Sequence, residues 1–211
     1  VFNFFQESAS THASLLGAGF DKLKSSNNLT WVLVKLLVEI DEYPLWEDEL
    51  EIWTWPLPSK GLQFRRDFVI KTLDGKTIAR GTSLWVLVDI ETHELKKEGL
   101  LSINYSGEIT EKAIDTTLRK INPSGEKVFS HDVKIGCSLL DINGHINNSK
   151  YIDFIMDCFD LHEHKNNKAH SLQISYVNES FAGDKICLYK YINPSSPDTI
   201  YIEGINEKDG K

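Results

Sequence analysis

The chain places one amphipathic helix before a run of short strands and then does so again, and no other feature restricts its fold as tightly. Phe5, Ala9, His12, Ala13 and Leu16 recur at helical spacing, and Gly17 and Gly19 provide a stop. Strands are expected at Leu29–Asp41, Glu49–Pro56, Leu62–Leu73 and Ile78–Ile90, with Asp74-Gly75 marking a hairpin turn between the last two. In the second half, Ser130–Cys137 reads as a strand. Tyr151, Phe154, Ile155, Cys158 and Phe159 then fit the apolar stripe of a helix, and Asn147 or Asn148 supplies its N-cap. Strands at Ser171–Asn178, Lys185–Ile192 and Thr199–Gly204 complete the second unit. Even the joining phrases correspond, residues 42–48 standing where residues 178–184 stand later.

The intervening stretch, Glu98 to about Phe129, is polar, contains Pro123-Ser124-Gly125 and has no strong period, so loops and a short helix near Glu111–Arg119 are expected. The reading is an α+β chain of two half-domains, residues 1–107 and 130–211, joined by a linker at 108–129. In each half an antiparallel sheet should wrap around a long central helix, the two sheets joining around the pair.

Composition narrows the function. The net charge of −8 divides evenly, −4 in residues 1–107 and −4 in 108–211, which leaves no basic tail or stripe for nucleic acid or a polybasic membrane contact. With 41% hydrophobic residues, the 211-residue chain can bury a sizeable core. Cys137, Cys158 and Cys187 are odd in number and lack metal-type spacing, as expected of a reduced compartment. No apolar run is long enough to span a membrane, and residues 1–7 lack a secretion-signal pattern, so a cytoplasmic protein is expected.

The segment from Asp141 to Tyr151, DINGHINNSKY, carries the chemistry. It sets an acid, an amide and an imidazole two residues apart, just before the second helix. In an extended segment Asp141, Asn143 and His145 would project to one side. Backbone N–H groups at the helix start would face the same region and could hold an oxyanion. Such a cluster suits hydrolysis, although Asn, Asp and Gly before a helix are also ordinary turn and capping residues.

Taken in order, these pieces resemble the acyl–acyl carrier protein thioesterases, the double-hotdog enzymes of plants and bacteria. The likeness covers nearly the whole chain. It rests on LTWV at 29–32, DEYPLWED at 41–48, RRDF at 65–68, SLWV at 83–86, the 141–151 motif, and YVNE at 176–179. The resemblance implies two hotdog units with one active site in the second, and a catalytic set of Asp141, Asn143, His145 and Glu179. Many plant members carry a cysteine after that glutamate. Ser180 stands there instead, which favours water as the nucleophile.

Family members usually carry a strand before the first helix and another beyond Gly204, and the given sequence departs from that pattern at both ends. It also shows no plant targeting segment, so a bacterial-type enzyme acting on acyl carrier protein is expected, with no metal or organic cofactor. Homodimerisation is compatible with this, and acyl-coenzyme A hydrolysis or hydration, or acyl binding without catalysis, are the alternatives. Glu179 would take the water's proton, Asn143 would fix the water, and His145 would polarise the thioester or the water. Asp141 would orient His145 or the loop. An acidic carrier needs a basic patch on an enzyme of this charge, and the candidates are Lys60, Arg65, Arg80, Lys112, Arg119, Lys120 and Lys127.

Other constellations read as structural. His162-Glu163-His164 with His170 and Cys158 matches no zinc spacing and lies by a hydrophilic turn. Cys158 lies on the apolar stripe of its helix, and His12 is five residues from Glu7, off its helical face. The five tryptophans should be mostly core, some lining an acyl cavity. Arg66 shares its strand phase with Phe64 and Phe68, so either a bulge turns it outward or an acid pairs with it.

Overall fold

The structure, a computed structural model, describes residues 1–97, 109–141, 144–208 and 210. The chain forms two compact units. The first comprises residues 1–119 and 169–176, and the second residues 120–168 and 177–211.

The first unit opens with helix α1, Phe2–Leu15, whose buried Phe5, Ala9 and Ala13 form one stripe. Gly17, at φ +77°, ends it. The Ala18 N–H reaches back to Ala13 O at 2.8 Å and the Gly17 N–H to Ser14 O at 3.0 Å, the paired bonds of a left-handed helix stop. A second short helix, α2 (Phe20–Asn27), follows immediately and was not expected from the sequence. Its Leu23 packs with Ala18, Leu29, Phe64 and Leu87 in an apolar cluster.

Strands β1 (Leu29–Ile40), β2 (Leu50–Pro56), β3 (Phe64–Thr72) and β4 (Thr77–Asp89) lie close to their expected bounds. The β3–β4 hairpin turns at Asp74-Gly75, with Gly75 at φ +87°. A two-residue β5 (Leu95–Lys96) returns onto the end of β4. The sheet order is β2-β3-β4-β1-β7, all antiparallel. Here β7 (Ser171–Ser175) pairs with β1 over Lys35–Glu39, so a strand from the chain's second half completes the first sheet rather than the sheet of residues 130–211.

Helix α1 covers one face of this sheet. Phe5 stacks on Phe68 at 4.6 Å, and a Cβ on Gly81 would lie 2.5 Å from the Phe5 ring. Arg66, next but one to Phe68, faces the helix as the strand phase requires. It is buried and donates to His12 Nδ1 at 2.9 Å and to Thr54 Oγ1 at 3.2 Å, so a half-buried helix histidine receives it. Because a guanidinium can only donate, His12 accepts as a neutral imidazole. Burial, then the Arg66 charge, lowers the His12 pKa. Two tryptophans are not core: Trp46 and Trp53 are exposed.

The opposite face carries a strap. Residues 109–119, expected to hold a short helix, run instead as irregular backbone tied to side chains of four strands. Trp55 Nε1 donates to Glu111 O (2.9 Å), and the Ala113 N–H donates to Asp67 Oδ2 (2.8 Å). Lys35 Nζ donates to Leu118 O (3.0 Å) and Gln173 Nε2 to Arg119 O (2.9 Å). Ile114 is buried beneath it.

The second unit has β6 (Glu126–Lys134), β8 (Lys185–Ile192) and β9 (Tyr201–Asn206) in a three-stranded antiparallel sheet of order β6-β8-β9. Strand β6 begins and ends earlier than its expected bounds. The helix expected to be long is short and divided: α3 is Lys150–Met156 and α4 is Leu161–Asn166. Ile135, Ile146, Phe154, Cys158, Ile186 and Leu188 form the core between α3 and the sheet. A reciprocal cap starts α4, with the Glu163 N–H on Asp160 Oδ1 (2.7 Å) and the Asp160 N–H on Glu163 Oε2 (2.9 Å).

Candidate active site

Asp141 and His145 face each other, with Leu140 opposite Ile146 across an antiparallel bridge. The Asp141 N–H donates to His145 O at 2.8 Å and the Gly144 N–H to Asp141 O at 3.1 Å. Gly144 holds φ +80°, a conformation that costs any residue with a Cβ. Asp141 Oδ1 accepts the His145 N–H across the loop at 3.3 Å. Asp141 and His145 are thus adjacent through this pairing rather than through strand alternation. Asn143 lies outside the described residues.

The imidazole is delivered to a second segment. His145 bridges Phe181, and the Ile146 N–H donates to Ser180 O at 3.2 Å. These contacts bring His145 Nδ1 to 3.6 Å from Glu179 Oε1, with the two side chains 35% and 46% exposed. That gap exceeds a direct hydrogen bond, and both groups remain open to water. The Phe181 ring meets the imidazole edge to face at 5.0 Å and 85°.

Behind Phe181 lies a polar anchor that the sequence reading did not single out. Asp184 is buried, and its Oδ2 accepts the Phe181 N–H and the Asn206 amide, each at 2.9 Å. Its Oδ1 accepts from Lys208. The Lys208 ammonium and these N–H donors hold the Asp184 carboxyl down at about 2. Tyr151 of α3 hydrogen-bonds Ser180 by side chain, and burial pushes the Tyr151 phenol up. The Gly183-Asp184 step between two apolar segments was the available clue to the anchor, but a turn acid and a buried acceptor look alike in sequence.

Four N–H groups leading into the helix, expected to face the site, have partners within the protein. The N–H groups of Ile146, Asn147, Ser149 and Lys150 are bound to Ser180 O, Leu139 O, Asn147 Oδ1 and Asn147 O. They are therefore committed within the protein. The capping residue of α3 is Ser149, with Asn147 holding the turn ahead of it through the Ser149 N–H and hydroxyl.

Cys158 donates its thiol to Phe154 O and is buried, which raises its pKa, so it is no partner for His145. The His162–His164 stretch lies in α4, where His164 Nε2 contacts Met156 O at 3.0 Å. Among the described residues no group of three His, Cys, Asp or Glu side chains is placed to hold a metal.

Residues 1–98 match the acyl-ACP thioesterase N-terminal domain and residues 122–207 the acyl-ACP thioesterase C-terminal domain. A palmitoyl-acyl carrier protein thioesterase of Arabidopsis thaliana is 31% identical over 195 residues, covering 85% of this chain and 46% of that protein. The chain thus spans about half the length of the curated relatives it matches. An acyl-ACP thioesterase structure from Bacteroides thetaiotaomicron superposes with a TM-score of 0.84 at 28% identity, covering 99% of this chain and 83% of the other. A 12:0-ACP thioesterase from Umbellularia californica has the same fold, with a TM-score of 0.81 at 22% identity over 98% and 83% of the two chains.

Proposed function

The chain belongs to the acyl-ACP thioesterase family, and from that membership we propose that it hydrolyses the thioester of acyl–acyl carrier protein, releasing free fatty acid and ending chain elongation. The observation that carries the reading is the meeting of His145 and Glu179 at 3.6 Å, both open to water, from segments 34 positions apart in a chain of this family. Glu179 is the base. A water touching its carboxylate loses a proton to it while attacking the thioester carbonyl, and the tetrahedral intermediate then breaks its C–S bond, the leaving thiolate of the carrier arm taking that proton back from Glu179. His145 turns Nδ1 toward the same water, so an imidazole N–H there can polarise either the water or the carbonyl oxygen.

With the main-chain N–H groups of Gly144, His145, Ile146, Asn147, Ser149 and Lys150 engaged, side-chain donors, His145 and the amide of Asn143, are assigned the stabilisation of the tetrahedral oxyanion. Asp141 positions the loop through the His145 N–H. Ser180 is buried with its carbonyl pinned by Ile146, which agrees with water and not a side chain as the nucleophile. The partner is acyl carrier protein bearing its acyl-phosphopantetheine arm.

The test is hydrolysis of acyl–carrier protein substrates of graded chain length beside the matching acyl-coenzyme A thioesters. His145→Ala and Glu179→Gln should each slow turnover by about 100-fold or more, on the scale of a lost acid–base group. Near-normal rates in both variants would refute the assignment. Faster hydrolysis of the coenzyme A series would move the substrate class.

A further inference from the structure

The first unit holds a cleft of about 710 Å³ on the sheet face that the strap crosses. Its walls are the Leu57–Pro58 turn, the strap from Thr110 to Arg119, and Gln173 of β7. Lys60, Arg65, Lys112 and Arg119 project into it with a single carboxylate, Asp115. We propose that this cleft is a binding site for a phosphate ester of metabolite size. None of its residues belongs to the His145–Glu179 pair, and the inference stands apart from the hydrolytic reading.

Charge supports this first. The chain carries −8, yet four cations line one cavity. Three other cations of this unit are paired, Lys76 with Glu42, Arg80 with Asp41 and Lys96 with Glu94, whereas the exposed Lys22 and Lys24 of α2 stand apart from one another and do not line this cleft. Lys60, Arg65 and Arg119 form no ion pair among the described residues, Lys112 pairs with the exposed Asp115, and the Asp67 carboxylate acts on Arg65 and Lys112 through space without pairing with either. The local field therefore favours an anion.

Pre-organisation supports it second. Arg65 is held by its NH2 group on the Thr82 hydroxyl at 2.9 Å, while its Nε is shut off from solvent with no hydrogen-bond partner among the described residues. The neighbouring Asp67 does not consume this charge in an ion pair among the described residues. Its carboxylate is occupied by Thr82 and the Ala113 N–H. A fixed guanidinium beside flexible ammonium groups, with the hydroxyls of Thr110, Thr116 and Thr117 in the same wall, matches the oxygens of a phosphate group.

Size supports it third. The volume falls within the roughly 300–1,000 Å³ range of small-molecule clefts. Eleven residues line it, whereas a protein docking face takes about 20–30 on each side.

The test is calorimetric titration of the whole chain, at about 0.15 M salt, with ADP, inorganic pyrophosphate, 4′-phosphopantetheine and an acidic carrier protein lacking its prosthetic arm. Stoichiometric binding of at least one phosphate compound is expected at micromolar Kd. Lys60→Glu combined with Lys112→Glu should weaken it tenfold or more, and Lys22→Glu on α2 should leave it unchanged. Arg119→Glu is the second variant, used if the double substitution melts early. A preference for 4′-phosphopantetheine over ADP would identify the prosthetic arm as the source of the phosphate, and the reverse a free metabolite. The proposal is overturned if no phosphate compound binds below about 1 mM, if the cleft variants bind as tightly as the unmodified chain, or if only the arm-free carrier protein binds. Hydrolysis is not the readout, so failure here leaves the His145–Glu179 assignment where it stands.

Discussion

The two units solve the problem of holding a sheet together in different ways. On its helix side the first is secured by apolar contact, a 14-residue helix pressing Phe5 onto Phe68 and Gly81, while its far face is closed by the strap and its four side-chain hydrogen bonds. The second has three strands and two short helices, and its working loops are fixed by backbone bonds and one buried carboxylate, Asp184. The difference teaches that reactive side chains sit where polar ties, rather than tight packing, set the geometry. Such ties can hold a half-exposed imidazole in place without burying it.

Four experiments would break or sharpen that contrast. The widest separation is expected from the site itself: His145→Ala and Glu179→Gln should lose about 100-fold in turnover while the melting temperature stays near that of the unmodified chain, since both side chains are part-exposed. A large loss of stability in either would show that the pair also holds the second unit together.

Next come two glycines with opposite reasons for being glycine. Gly81→Ala drives a methyl into the Phe5 ring and should cost about 1–3 kcal/mol by denaturant unfolding. Gly144→Ala has open space around it, but its positive φ should cost about 1–2 kcal/mol. The second should also slow hydrolysis, because the loop carries His145, and the first should not. Equal effects on hydrolysis would erase the distinction between the units.

Smaller still is the acid limb. Asp184 is held at about 2 in the fold, below the ordinary unfolded value near 3.9. Its stabilising contribution is therefore complete above that unfolded value and is lost as pH falls through about 2. Asp184→Asn should flatten this part of the stability–pH curve, and an unchanged curve would remove Asp184 as the anchor.

The slightest effect belongs to His12, whose pKa is lowered in the fold. The unfolded chain then binds more protons below about pH 6.5, so stability falls as pH drops through that region. His12→Asn, which keeps an acceptor for Arg66, should make the slope shallower.

Much of the fold was legible along the chain. Strands β1 to β4 and β8 lie near their expected bounds because apolar runs punctuated by turn residues are local signals. The partner of β7 was not legible: Leu172 and Ile174 would suit the edge of either sheet, and pairing with β1 is decided by contacts more than 130 positions away. Helix α2 was lost behind Gly17 and Gly19, which read as a stop, and it buries only Leu23. The strap read as helical because its ties to Trp55, Asp67, Lys35 and Gln173 cannot be seen from its own residues.

For the site, the 141–151 motif pointed to His145, but spacing gave the wrong cause, since Asp141 and His145 face each other beside a bridge instead of following strand alternation. Glu179 came from the family resemblance; nothing local in its sequence distinguishes it from a surface acid.

The late arrival of β7 also bears on synthesis. As the chain leaves the ribosome, β1 and β4 can pair once residue 89 has emerged, but the other edge of β1 has no neighbour until residue 175 appears. For that interval the nascent protein carries an unguarded row of main-chain donors and acceptors over Lys35–Glu39, the kind of edge that recruits strands from other molecules. A contiguous fragment ending at residue 119 would keep that exposure permanently, so expressing it alone should yield more aggregate than expressing the whole chain.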